Sequence, residues 1–335
     1  MSHPKNWLSI KKEGLYCEPG KFYIDPVYAV DHAVITHGHG DHARSGHKNV
    51  LATPETIAIM KARYGDNCAE NLQSLAYHIP LTINGVNLYF LPAGHILGSA
   101  QVVIDYEGSR LIVSGDYKRA ADPTCPAFIV EPCDVFITEA TFSLPVFKHP
   151  PIETELKKLL ESLAFFPERC HLVGAYALGK CQRLIKTLRL MHYQEPIYLH
   201  GALIKLCELY QSMNIDLGII KPASELNQQT SAGKLIICPP SALHDRWSRR
   251  FANPVVAHAS GWMQIRARAK QKGIDLPLII SDHADWHELI QTIHEINPQE
   301  VWVTHGREEA LVYYATKQGF KAQALNLLGY EENED

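Results

Sequence analysis

The order of apolar and polar positions gives the chain three textures. Up to about residue 145 the apolar runs are short, rich in β-branched and aromatic residues, and separated by turn residues, which predicts strands. They are "KFYIDP" (21–26), "HAVIT" (32–36), "VNLYFLPAGH" (86–95), "QVVIDYEG" (101–108), "RLIVSGD" (110–116) and "CDVFITEAT" (133–141). One helix is expected among them over 53–65, where Thr53 suits the N-cap, Pro54 the first helical position, and Gly65 follows the end. After about residue 145, helical spacing alternates with strand-like runs: "PPIETELKKLLESLAFFP" (150–167), "CHLVGAYALGKCQRLIKTLRLMHY" (170–193), "EPIYLHGALIKLCELYQSM" (195–213) and "GKLIICPPSAL" (233–243). That block reads as alternating α/β. From about 276 a strand–loop–helix–strand texture returns in "PLIISDHADWHELIQTIHEINPQEVWVTHG" (277–306), with Asp285 and Glu288 spaced as a capping box and Pro298 ending the helix.

Composition narrows the class. At 335 residues and 46% hydrophobic, the chain suits one large domain or two medium ones. No fixed-period repeat or low-complexity tract is visible. The opening "MSHPKNWLSIKKEG" has no apolar run, so neither a signal peptide nor a membrane anchor is expected, and a soluble cytoplasmic protein is. Eight scattered cysteines without a CxxC pair argue against a disulfide framework or a zinc ribbon and for small buried residues. A net charge of −4 is not the footprint of a protein that coats DNA. A local basic groove would suffice for a nucleic-acid enzyme, and "RWSRR" (246–250) and "RARAKQK" (266–272) are the candidate patches.

The histidine count, 18, is the unusual number. In "THGHGDH" (36–42), His37, His39, Asp41 and His42 follow a strand with only Gly38 and Gly40 between them. His37 and His39 share a side at period two, and Asp41 and His42 follow in a glycine-loosened turn, so four side chains suited to zinc or a similar ion can converge. At this chain's own residue frequencies H-x-H-x-D-H would arise by chance roughly twice in a thousand such chains. A metal site needs further ligands, and three stand at other strand ends: His95, Asp116 and His305. One histidine at a strand end is more often structural; the coincidence of all of them favours metal. The other twelve histidines outside these motifs and "SDHADW" are read as structural.

These motifs resemble a family. "THGHGDH", "AGHILGS" and "SGD" are similar to the ordered metal motifs of the metallo-β-lactamase superfamily, and Asp25 in "YIDP" to its early aspartate. Glu139 in "ITEATF", His283 in "SDHADW" and His305 in "VTHG" resemble the extra motifs of the β-CASP nucleases, as does "AYALGKCQRLIKTL" (175–188). "EATFSLPVFKHP" (139–150) and "ASGWMQIRARAKQKG" (259–273) are most like the bacterial DNA ligase-associated exonucleases. The resemblance covers nearly the whole chain. It implies an α/β fold: a four-layer αβ/βα metallo-β-lactamase sandwich, residues 1–145 and 276–335, with an inserted α/β β-CASP domain, 146–275.

It also implies two divalent metal ions, zinc in preference, with manganese as the alternative. His37, His39, His95 and Asp116 would hold one; Asp41, His42, Asp116 and His305 would hold the other, with Asp116 bridging. Asp25 would orient a ligand. The expected catalytic groups are His283, Glu139 and Asp41, with His283 as proton donor to the leaving sugar oxygen and Glu139 orienting it. Ser260 and Gly261, with Arg246, Arg249, Arg250, Arg266 and Arg268, are candidate contacts to the nucleic acid. The implied activity is a metal-dependent DNA exonuclease acting in repair with an ATP-dependent DNA ligase and a helicase. The alternative is an RNA-processing β-CASP ribonuclease, and His305, shared by RNA-cleaving and ligase-associated members, does not decide between them. A thioester or lactone hydrolase of the same scaffold lacks the insert and its late motifs, and an inactive scaffold subunit would have lost ligands that this chain keeps.

Overall fold

The computed structural model describes residues 2–325 and 327, and the counts below refer to those. Contacts divide the chain into two compact units: residues 2–148 with 283–325 and 327, and residues 149–282.

In the first unit two sheets face each other. One has six strands in chain order, Leu8–Lys11, Gly14–Cys17, Phe22–Ile24, His32–Val34, His47–Ala52 and Ala69–Ser74. The other has seven, ordered Lys321–Ala324, Glu300–Gly306, Val135–Ala140, Ser109–Val113, Ala100–Tyr106, Val86–Pro92 and Leu81–Ile83. Phe22, Ile24 and Val34 of the first meet Leu88, Phe90, Val102, Ile104 and Ile137 of the second in the core between them. Successive strand side chains point to opposite faces. In Glu300–Gly306, Trp302 therefore enters that core while Val301 and Val303 face outward. There they meet Leu289 and Ile293 of helix Trp286–Ile296 and Leu311 of helix Glu308–Lys317. Helix Pro54–Tyr64 covers the far face of the six-stranded sheet through Ile57 and Met60. The order is helix, sheet, sheet, helix.

The helix signals act as their chemistry suggests. Thr53 Oγ1 accepts from Thr56 N at 3.2 Å, and Gly65 closes the helix. The capping box of Asp285 and Glu288 forms in both directions, and the helix stops at Asn297 in the left-handed conformation.

The second unit is one parallel sheet of six strands, ordered Ile220–Pro222, Ile197–Leu199, Leu235–Cys238, His171–Gly174, Val255–Ala259 and Leu276–Leu278. Its inner strands Ile197–Leu199, Leu235–Cys238 and His171–Gly174 are buried throughout, as parallel strands covered on both faces must be. Helices Ile152–Phe165, Lys180–Leu190 and Gly201–Ser212 belong to it. The apolar run at 276, expected to open the return to the first unit, instead pairs with Val255–Ala259 as an edge strand, and the first unit resumes at His283. Six of the eight cysteines are buried. No helix among the described residues is long and apolar enough to cross a membrane.

Candidate metal centre

The loop that carries "THGHGDH" leaves the interior strand His32–Val34 and is shaped by close approach. A Cβ on Gly38 would lie 2.5 Å from Ile59 Cγ2, so only glycine lets the loop rest on helix Pro54–Tyr64. Arg63 Nη1 donates to Gly38 O at 2.6 Å and pins it there. Asp116 arrives through a second glycine turn: Gly115 has φ +56°, and a Cβ there would sit 2.9 Å from Thr36 Cβ. Ser99 Oγ holds the His95 turn, accepting from His95 N at 3.1 Å and Ile96 N at 3.2 Å. His305 has φ +57°, a left-handed conformation costing a non-glycine residue about 1 kcal/mol or more. Strain of this kind is kept where the side chain has work to do.

These turns bring ligand-type atoms together from four parts of the chain. His39 Nδ1 is 3.2 Å from His37 Nε2 and 3.0 Å from His95 Nε2. Asp116 Oδ2 is 3.4 Å from both His37 Nε2 and His42 Nε2, and 3.8 Å from His95 Nε2. Its other oxygen is 3.8 Å from His305 Nε2. His42 Nε2 is 3.7 Å from Asp41 Oδ2. His37, His39, His95 and Asp116 form one group able to hold a metal ion, and Asp41, His42 and His305 another.

The donor set fits a divalent cation. Ligands about 2.0–2.1 Å from zinc at tetrahedral corners lie roughly 3.3 Å apart, and the imidazole nitrogens of the first group stand at 3.0 and 3.2 Å. A single contact of this length between two ring nitrogens is an ordinary N–H···N hydrogen bond; three ring nitrogens and a carboxylate oxygen gathered around one point make the set able to hold a cation.

A layer of hydrogen bonds sets which ring nitrogen is offered. Asp25 Oδ1 accepts from Thr36 N at 2.8 Å, and Oδ2 accepts from Thr36 Oγ1 at 2.6 Å. The same Oδ2 is 2.7 Å from His42 Nδ1. That places the His42 proton on Nδ1 and offers Nε2 to a metal. Because the Thr36 hydroxyl hydrogen goes to Asp25, its oxygen accepts from His37 Nδ1 at 3.0 Å, and His37 also offers Nε2.

Charge follows this geometry. Burial, then the neighbouring His42, hold His37 well below the ordinary histidine range, against the pull of Asp116. For His42 burial is the largest single effect and acts downward, but Asp116, Asp41 and Asp25 together outweigh it and hold the ring well above that range. Burial likewise opposes ionisation of Asp116, and His305, His42 and His37 overcome it, keeping the carboxylate charged.

Beside this centre, His283 Nδ1 lies 2.9 Å from Glu139 Oε2 and 4.0 Å from Asp116 Oδ2. Glu139 is buried in strand Val135–Ala140 and accepts also from Tyr117 N at 2.7 Å and Thr141 Oγ1 at 2.6 Å. Asp116, Glu139 and His283 form a third group close enough for an ion.

The candidate nucleic-acid contacts all fall in the second unit. Ser260 is buried, and its Oγ accepts from Trp262 N at 3.3 Å, capping a short 3-10 turn. Arg246, Arg249 and Arg266 are exposed, and Arg268 lies over the Trp262 ring at 4.2 Å. Arg250 is half-buried, and its guanidinium donates to the carbonyls of Leu226 and Ser224 within its own unit. Thr36, Ser99, Lys118 and Thr141 were not singled out in the sequence. Thr36, Ser99 and Thr141 are hydroxyl residues inside the quoted motifs, and that is their signal; Lys118 has only its place two residues after Asp116.

No family model matches the chain. A "Probable DNA ligase" of Opitutus terrae is 29% identical over 327 residues, covering 93% of this chain and 30% of that protein. An "RNase J-like protein" of Methanocaldococcus jannaschii is 26% identical over 214 residues, 55% of this chain and 50% of that one. The "Cleavage and polyadenylation specificity factor 73" of Drosophila melanogaster is 30% identical over 153 residues, 43% of this chain and 22% of that one. The chain thus spans half or less of each of these relatives. A crystal structure of a protein of unknown function from Enterococcus faecalis V583 shares the fold, with a TM-score of 0.57 at 14% identity, over 82% of this chain and 75% of that one.

Proposed function

We propose that this chain, a β-CASP protein of the metallo-β-lactamase superfamily, is a metal-dependent DNA exonuclease. The observation that carries the reading is the Glu139–His283 pair, 2.9 Å apart, standing beside a histidine–aspartate centre and within 4.0 Å of its Asp116. His37, His39, His95 and Asp116 would hold one divalent ion, and Asp41, His42, Asp116 and His305 a second. Such a pair of ions supplies Lewis acidity, drawing phosphoryl oxygens and making water nucleophilic near neutral pH.

The chain's own residues do the rest. Asp25 and Thr36 keep the rings of His42 and His37 in the tautomers that bind. Glu139 accepts the hydrogen bond of His283 Nδ1–H, which leaves Nε2–H free to hand its proton to the leaving sugar oxygen. We read this pair as a proton donor and its orienter, not as part of a third metal site, because Glu139 already accepts three hydrogen bonds.

The DNA reading is supported by the near full-length match to a ligase-named protein of which this chain spans only part, an arrangement that suits a nuclease working beside a ligase. The relatives named for RNA work favour a second reading, an RNA-processing nuclease. Matched end-labelled DNA and RNA single strands, with manganese or zinc and a chelator control, separate the two. Stepwise shortening of DNA from one end supports the proposal. Cleavage of RNA with DNA left intact moves the protein to the second reading.

A further inference from the structure

Lys118 stands two residues after Asp116 and is only 4% exposed. A buried ammonium is costly unless anions and carbonyls surround it. It has both: Nζ donates to Glu288 Oε2 at 2.6 Å and to the backbone carbonyl of His283 at 3.0 Å. Glu288 is fixed in turn. Its Oε1 accepts from Ala120 N at 2.8 Å, and its Oε2 accepts from Asp285 N at 3.0 Å within the capping box.

The neighbouring Tyr117 acts in parallel. Its N–H donates to Glu139 Oε1 at 2.7 Å, and its carbonyl accepts from Ala284 N at 2.7 Å. Three consecutive residues therefore touch everything that matters to His283. Asp116 belongs to the metal centre, Tyr117 grips both Glu139 and the residue after His283, and Lys118 grips the backbone of His283 itself. His283 lies in an irregular segment ahead of helix Trp286–Ile296, so no ladder of secondary structure holds it.

We infer that Lys118 is a positioning residue for His283. Its ammonium fixes the His283 backbone so that the ring keeps its bond to Glu139 and presents Nε2 to the leaving oxygen. This rests on the reading of His283 as proton donor. It adds a residue to which no metal or substrate contact is assigned. A misplacement of about 1 Å at a reacting group can cost on the order of a hundredfold in rate.

The test uses the full chain at saturating metal and two substrates. One is the oligonucleotide it cleaves faster, DNA or RNA, whose sugar alkoxide must be protonated as it leaves. The other is a p-nitrophenyl ester of a nucleoside 5′-phosphate, whose phenolate leaves without a proton. Lys118→Met removes the clamp. Lys118→Met with Glu288→Gln removes it without stranding a half-buried carboxylate, and is the variant read if the first does not fold.

The expected result is a fall in kcat of about 10- to 100-fold on the oligonucleotide, a loss about tenfold smaller on the ester, and KM and metal content near those of the unaltered protein. His283→Ala should show the same split more strongly. Equal losses on both substrates, or none on the oligonucleotide, while His283→Ala shows the split, would overturn the role given to Lys118. Absence of the split in His283→Ala would remove the proton-donor reading and this inference with it.

Discussion

Asp25→Asn changes one atom of the metal centre's support and leaves every proposed ligand in place. Asp25 is buried and has φ +43°, and asparagine is among the side chains that best tolerate that left-handed region, so the exchange adds no backbone strain. What changes is the number of acceptors. The carboxylate serves Thr36 N at 2.8 Å, Thr36 Oγ1 at 2.6 Å and His42 Nδ1 at 2.7 Å. An amide that keeps its oxygen on Thr36 N turns its NH2 towards Thr36 Oγ1 and His42 Nδ1. His42 must then accept at Nδ1, and its proton moves to Nε2, the atom 3.4 Å from Asp116 Oδ2 that should face the metal. Loss of such an orienting partner costs about 10- to 100-fold in metal affinity, roughly 1.4–2.7 kcal/mol. A hydrogen bond to a charged group, worth about 1.5–3 kcal/mol, gives the same range independently. Competition against a chelator of known affinity measures it. Affinity within about twofold of the unaltered protein at every site would refute the reasoning, since the tautomer of His42 would not depend on Asp25.

Other outcomes follow from the same structure. Stripping the metal should lower the midpoint of thermal unfolding: a ligand present at 100 times its Kd stabilises by about 2.7 kcal/mol, or on the order of 5–10 °C for a unit of this size, and an unshifted midpoint contradicts the site. Metal uptake by the stripped protein at neutral pH should release protons, because His42 is held above the ordinary histidine range when no cation is present; heats that do not vary with the buffer's ionisation enthalpy would contradict this. In the second unit, burial and then Arg169 push His171 down to about 4, while burial and then Lys180 push His258 down to about 3. Both stay neutral when folded, so the stability they allow is full above about 6.5, the unfolded value, and falls as pH drops towards those figures. Urea unfolding of the full chain should show that loss between pH 7 and 5, with a shallower slope in His171→Gln. Losing exposed Arg249 should weaken nucleic-acid binding and reduce its salt slope by about one, whereas Arg250→Ala should lower stability and leave the slope alone.

The candidate metal centre was legible because such a site needs rare residue types at short spacing, and four of them lie in six consecutive positions. His95, Asp116 and His305 could be added because each ends a strand of recognisable texture. The supporting groups were hidden for a physical reason. Thr36, Thr141 and Lys118 are common residues whose partners are set by folding; Lys118 meets Glu288 across 170 positions. The residue that best shows the limit is Arg250. In sequence it belongs to a basic run, and nothing in that run shows that its guanidinium is engaged by the carbonyl of Leu226. The strands Leu8–Lys11 and Gly14–Cys17 escaped because they are four residues each and only partly apolar. The apolar run near 276 looks the same in sequence whether it begins one unit or edges the other; here it pairs with Val255–Ala259.

The proposed function rests on Asp116 as a carboxylate shared by two divalent ions. Elemental analysis of bound metal per chain, on the purified protein and on Asp116→Ala side by side after dialysis, tests it directly. Two equivalents are expected in the former and the loss of both in the latter, with nuclease activity lost as well. One equivalent or none in the unaltered protein, or full metal content in Asp116→Ala, would contradict it.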